Sequence, residues 1–261
     1  MESGKTQRAL VVSSDLKGYG RGNDRRQEAM QADFVALHRE AARAAGLDRD
    51  TWDRQPGGDG ELAVLPASEP EPQVVDGYVR ALGVLLREHN EDRTPDARLR
   101  LRVSAAFGTA YPAANGYAGQ AVVEASRLLA WEPLKRVFDK APDVDLALIL
   151  SHRVFEDTVR QGHTSHSVRE FREVRVLEKE YDAPAWVWVP GLVPTDLDFL
   201  EGSTSDDSTS DDSTDKSLEN RTNTEAPNSV PSAVWQRAEA ITNLYGPVDA
   251  RRSVFGVNRN G

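Results

Sequence analysis

The chain contains no cysteine, which excludes a disulfide framework, thiolate nucleophiles and thiolate zinc sites. No run approaches the ~18 continuous apolar residues of a membrane span. Met1 to Leu10 lacks the apolar core of a signal peptide, so a cytoplasmic location is expected. Positive charge is the scarcer sign. The 32 Lys and Arg residues against 42 Asp and Glu leave a net charge of −10, which argues against nucleic acid and anionic membrane as partners. Apolar residues make up 39% of the chain, a low share for a fully compact protein, so part of it is expected to lack structure.

Composition divides the chain in three. Residues 7–190 carry nearly all the periodic apolar pattern. Residues 191–232 are low in complexity, with Ser, Thr and Asp dominating Gly202 to Lys216. Such a segment cannot bury enough apolar surface to offset its chain entropy, and it reads as a disordered acidic linker. Residues 233–261 form a short patterned tail, in which Tyr-Gly-Pro-Val and Phe-Gly-Val-Asn are similar units. An interaction tail is the expectation there.

Within 7–190, Arg8 to Ser14 reads as a buried strand before a Gly-containing turn. Asp24 is the expected N-cap of a long helix in which Met30, Phe34, Leu37, Ala41 and Ala44 share a face, and Gly46 ends it. Strands are expected at Thr51 to Gln55 and Glu61 to Leu65, joined by the Asp59-Gly60 hairpin signal. Val75, Val79, Leu82 and Leu86 mark a second helix. Further strands are expected at Leu99 to Ala106, Leu146 to Leu150, Arg172 to Leu177 and Ala185 to Val189. Further helices are expected at Ala121 to Ala130, Leu134 to Phe138 and Val154 to Arg160. Strands alternating with helices, plus one tight hairpin, point to helices layered over a mixed sheet.

Two carboxylates stand out by position. Asp15 sits where the first strand gives way to Asp-Leu-Lys-Gly-Tyr-Gly, and Asp59 sits in Gly-Gly-Asp-Gly at the hairpin tip. On neighbouring strands both would emerge at one end of the sheet, and such oxygen ligands suit magnesium or manganese. Gly18 and Gly20 would free backbone amides for phosphate. Asp in either context is also ordinary turn chemistry. His163 and His166 stand in a polar loop without a third ligand, and they read as surface residues.

The order of first-strand Asp motif, long helix, strand, Gly-Asp-Gly hairpin, strand and helix resembles the catalytic domain of class III nucleotidyl (adenylate/guanylate) cyclases, over about Gln7 to Pro190. The resemblance implies an α+β fold with a mixed sheet flanked by helices. It implies two Mn2+ or Mg2+ ions held by Asp15, Asp59 and the Leu16 carbonyl. The family's Gly-x-x-Val-Asn-x-Ala-x-Arg motif is matched by Gly119 to Arg127. Arg127 falls on the transition-state arginine, and Val123 replaces the asparagine that positions the ribose. Lys179 falls near the lysine that contacts the triphosphate, although a surface Lys on an edge strand would look the same.

Purine cyclases of this class read the base with a Lys and an Asp at positions that are Gln55 and Gly116 here. Gln55 and Trp52 are expected to face the base, Trp52 shrinking the pocket toward a pyrimidine unless it is simply core. The chain is thereby similar to the bacterial pyrimidine cyclases of Pycsar antiphage defence. That similarity implies UTP as substrate, cyclic UMP as product and a cyclic-nucleotide-responsive effector downstream. Sites in this family are shared between subunits, so a homodimer is implied. The alternatives left open are a cytidylate or adenylate cyclase, and a catalytically inactive nucleotide sensor or scaffold.

Overall fold

Residues 8–14 set the layering of the molecule. In the computed structural model, which describes residues 7–201, they lie in strand β1 (Gln7–Leu16). Leu10, Val12 and Leu16 turn toward one apolar cluster, while Ala9 and Val11 turn toward another. Both faces of this strand are therefore covered. The other strands are β2 (Asp53–Pro56), β3 (Gly60–Val64), β4 (Leu101–Ala113), β5 (Gly116–Ala118), β6 (Leu146–Ser151), β7 (Arg172–Glu178) and β8 (Tyr181–Trp188). They form an eight-stranded sheet in the order β2-β3-β1-β4-β6-β8-β7, with β5 folded against β4. The β4–β6 pair is parallel, and the β1–β3 and β1–β4 pairs beside it are antiparallel.

Five helices cover this sheet: α1 (Asp24–Ala44), α2 (residues 71–90), α3 (Gln120–Ala130), α4 (Glu132–Lys140) and α5 (residues 152–160). On one face Phe34 and Leu37 of α1, with Tyr78, Leu82 and Leu86 of α2, pack against Leu10, Val12, Leu101 and Leu148. Burying each Leu contributes about 1.5–3 kcal/mol. On the other face Ala121 and Ala125 of α3 lie against Val11 and Ala106. Leu134 and Val137 of α4 pack with Ile149 and Val187. No helix among the described residues is long and apolar enough to cross a membrane.

The long helix starts and stops by local chemistry. Its N-cap is Asn23, whose side chain accepts from the Arg26 N–H, one residue before the Asp24 expected from sequence. At the other end Gly46 has φ 70°, and the Gly46 and Leu47 amides donate back to Arg43 and Ala42. This paired closure needs a left-handed residue, which Gly supplies without strain.

Several boundaries differ from expectation. Arg49–Thr51 forms a 3-10 turn capped by Asp48, so β2 begins at Asp53. The short β5 hairpin arm was not anticipated. Strand β8 begins at Tyr181, four residues early, because Pro184 faces only β7 there and no β6 partner needs its missing N–H. The folded region also runs past 190. Pro194–Leu200 forms a 3-10 helix whose Leu197 and Leu200 join the apolar cluster around α4, where a linker had been expected from 191. The rest of the expected linker and the tail at 233–261 lie outside the described residues.

Candidate active site

β1 and β3 run antiparallel with Asp15 opposite Gly60, so Asp15 and Asp59 come together at one end of the sheet. The Leu16 N–H donates to the Asp59 carbonyl at 2.7 Å. In a strand the amide and carbonyl of one residue point to the same side, so the Leu16 carbonyl turns toward the hairpin as well. Gly60 is what permits this approach. A Cβ there would lie 2.1 Å from the Ser14 carbonyl oxygen and 2.9 Å from the Asp15 Cα. The two Gly-containing turns are also tied to each other. Gln31 of α1 donates to the Tyr19 hydroxyl at 2.8 Å and to the Gly58 carbonyl at 2.7 Å.

Across the other edge of β1, Asp15 pairs with Arg102 of β4. The guanidinium holds the carboxylate through two hydrogen bonds of 2.8 and 2.6 Å. Burial pushes the Asp15 carboxyl up to about 6; Arg102 opposes this, while the neighbouring negative charge of Asp59 adds to it. Arg102 had not been singled out from sequence. The available signal was a charged residue between Leu101 and Val103 in a strand otherwise buried on both faces.

The donor set fits hard cations. Asp15, Asp59 and the Leu16 carbonyl are oxygen donors at one edge, and no group of three or more His, Asp or Glu side chains converges among the described residues. Two carboxylates and a carbonyl fall short of the six oxygens magnesium takes. That leaves coordination for water and phosphate, as is usual where the ion serves a phosphate substrate.

Arg127 and Lys179 lie together but elsewhere. Arg127 of α3 pairs with Glu180 at 2.6 Å, and Glu180 follows Lys179 in the two-residue turn between β7 and β8. Lys179 has φ 55°, the one non-glycine with positive φ among the described residues. No hydrogen bond or ion pair joins Arg127 or Lys179 to Asp15 or Asp59 within the described chain. Gln55 of β2 lies over Gly116: a Cβ at 116 would fall 2.1 Å from the Gln55 Oε1. The glycine and the amide thus share one space. Val123 is 46% exposed on α3.

Two expectations are corrected. Trp52 does not face an open pocket. It is 4% exposed, set edge-on to Tyr78 at 5.4 Å, with its indole N–H donating to Glu69. It is core. His166 is 4% exposed rather than a surface residue. Its Nδ1 meets Arg80 at 2.7 Å, and its ring stands edge-on to Trp188 and Phe171. His163 is exposed, as expected.

No family model matches the sequence, and no curated protein sequence matches it. Solved structures do. An adenylate/guanylate cyclase/hydrolase from Silicibacter pomeroyi superposes with a TM-score of 0.54 at 20% identity, over 72% of this chain and 99% of that one. The guanylyl cyclase Cya2 superposes with a TM-score of 0.50 at 15% identity, over 71% of this chain and 92% of that one. At such identities the likeness is one of architecture: this chain has the fold of adenylate/guanylate cyclase catalytic domains.

Proposed function

We propose that the chain is a nucleotidyl cyclase that converts UTP to 3′,5′-cyclic UMP and pyrophosphate, working as a homodimer with sites shared between subunits. The observation that carries this reading is the placement of Asp15, Asp59 and the Leu16 carbonyl at one edge of a cyclase-type sheet. These groups would hold two Mn2+ or Mg2+ ions, which when bound supply charge neutralisation on the triphosphate and a lowered pKa for the attacking 3′-hydroxyl. Arg102, already at Asp15, is placed to follow the triphosphate charge. Arg127 from the second subunit would balance charge developing at the α-phosphorus as its bond to pyrophosphate breaks. Lys179, on the same side as Arg127, would steady the leaving group. The separation of Arg127 and Lys179 from the aspartates within one chain supports a site completed by a partner.

Gln55 is the residue that would read the base. Its amide occupies the space above Gly116, so the subsite offers a neutral donor–acceptor pair instead of opposite charges. Such an edge complements the imide of uracil and equally the O6/N1–H face of guanine, so the choice of a pyrimidine leans on the resemblance to the pyrimidine cyclases. Trp52, in the core, supplies no size filter against a purine. By the chain's resemblance to the Pycsar enzymes, the product would serve as a second messenger for a cyclic-nucleotide-responsive effector in antiphage defence. A test is competition among equimolar ATP, GTP, CTP and UTP with Mn2+. Cyclic UMP should dominate with some cyclic CMP, and cyclic AMP or cyclic GMP as main product would overturn the pyrimidine assignment. Val123, exposed where the resemblance expects the ribose asparagine, favours a second reading as an inactive nucleotide-binding scaffold. Absence of any cyclic product would select it.

A further inference from the structure

One polar layer interrupts the apolar cluster beneath the candidate site. Arg49, in the 3-10 turn before β2, donates from Nη2 to Glu61 Oε1 at 2.6 Å, and the two side chains are only 4% and 7% exposed. Glu61 is the second residue of β3, two residues after Asp59, and stands opposite Ser14, the residue before Asp15. Ser14 in turn lies 3.2 Å from His38 Nε2, whose Nδ1 lies 2.5 Å from the Tyr78 hydroxyl. The layer therefore touches both strands one or two residues from both aspartates.

A buried ion pair is a poor stabiliser, since removing two charges from water costs roughly what their attraction returns, and well-packed apolar residues do as well. Here the pair is not even fully satisfied, because Arg49 Nη1 is buried without a partner. What the pair does supply is position. β2, paired to β3 at the sheet margin, is a four-residue strand (Asp-Arg-Gln-Pro) with no buried residue, and strands polar on both faces specify their register weakly. The Arg49 side chain reaches beneath this ribbon to its tip and ties the tip to the core.

The geometry points to Arg49 and Glu61 as positioning residues that fix the hairpin carrying Asp59 against Asp15, and so set the divalent-cation affinity of the site. This inference rests on Asp59 being a metal ligand. Residues that orient ligands without touching the ion typically change metal affinity by about 10–100-fold when lost.

The test measures Mn2+ affinity by electron paramagnetic resonance of the free ion, together with melting temperature, on the full chain. The variants are Asp59→Asn, the double variant Arg49→Met/Glu61→Leu, and Glu61→Gln. The apolar pair should keep the melting temperature within a few degrees of the parent while weakening Mn2+ binding at least about tenfold. Glu61→Gln, which keeps an acceptor for Arg49, should weaken it less, and it decides the matter if the double variant does not fold. A folded variant with parental Mn2+ affinity overturns the positioning role, even if its melting temperature has dropped. Should the parent show no Asp59-dependent Mn2+ binding at all, the metal reading itself fails and takes this inference with it.

Discussion

The Arg102 guanidinium grips the Asp15 carboxylate from the adjacent strand, Nε at 2.8 Å and Nη2 at 2.6 Å. The two residues are register partners on β4 and β1, so the contact is built by the sheet itself. Arg102→Leu should lower stability by on the order of 2–3 kcal/mol, because it leaves a largely buried carboxylate without its charged partner. Turnover should fall at least tenfold under the same conditions. Urea denaturation and initial rates check this. A stable variant with parental turnover would remove Arg102 from the site.

Gly60 should tolerate no side chain. Gly60→Ala places a Cβ 2.1 Å from the Ser14 carbonyl oxygen, an overlap that only separation of β1 from β3 relieves. A loss of about 2 kcal/mol or more is expected, accompanied by loss of turnover as Asp59 moves away from Asp15. A urea midpoint unchanged from the parent would contradict the packing described here.

His38 gives the fold a pH dependence of known sign. Burial, aided by the Arg49 charge, holds its imidazole well below the usual histidine range, and the Tyr78 hydroxyl facing it is pushed above its usual range by burial. Below about pH 6.5 the unfolded chain takes up a proton that the folded chain refuses, so the His38 contribution to stability falls as pH falls, opposite in sign to that of Asp15, whose raised carboxyl is protonated first in the folded chain. The contribution from one such group approaches about 1.4 kcal/mol per pH unit. His89 and His166 are lowered too and act in the same direction. The difference between the parent and His38→Gln in stability from about pH 5 to 7.5 should show this slope, amounting to one proton's worth. An unchanged slope in His38→Gln would exclude His38 as a source.

The proposed division of the site between subunits predicts complementation. Arg127→Ala and Asp59→Ala should each be nearly inactive alone, Arg127→Ala by at least about a hundredfold in kcat. Mixed after subunit exchange, they should regain activity, because one of the two sites in a mixed dimer keeps both residues. Exchange without recovery would place Arg127 in the same site half as Asp59, or outside it.

Much of this architecture was legible from the chain. The apolar run of β1, the 3-to-4 spacing in α1 and the Asp-Gly hairpin each follow from local chemistry, and they carry Asp15 and Asp59 to one edge. What stayed hidden depends on partners far away in sequence. The Arg102–Asp15 pair is a matter of strand register between residues separated by 87 positions. Trp52 looked available for a base because nothing local discloses Tyr78 and Glu69 closing over it. His166 read as surface because its loop is polar, although Arg80, Trp188 and Phe171 enclose it. Pro-Thr-Asp-Leu-Asp-Phe-Leu looked like linker by composition, yet two leucines one turn apart suffice to dock it.

The most direct measurement is product formation by the purified chain given UTP and Mn2+, followed by mass spectrometry and an independent pyrophosphate assay. Cyclic UMP and pyrophosphate should form in equal amounts from the parent, and neither above background from Asp15→Ala or Asp59→Ala protein whose melting shows it folded. No cyclic nucleotide from any of the four triphosphates, or undiminished product from either variant, would contradict the proposed function.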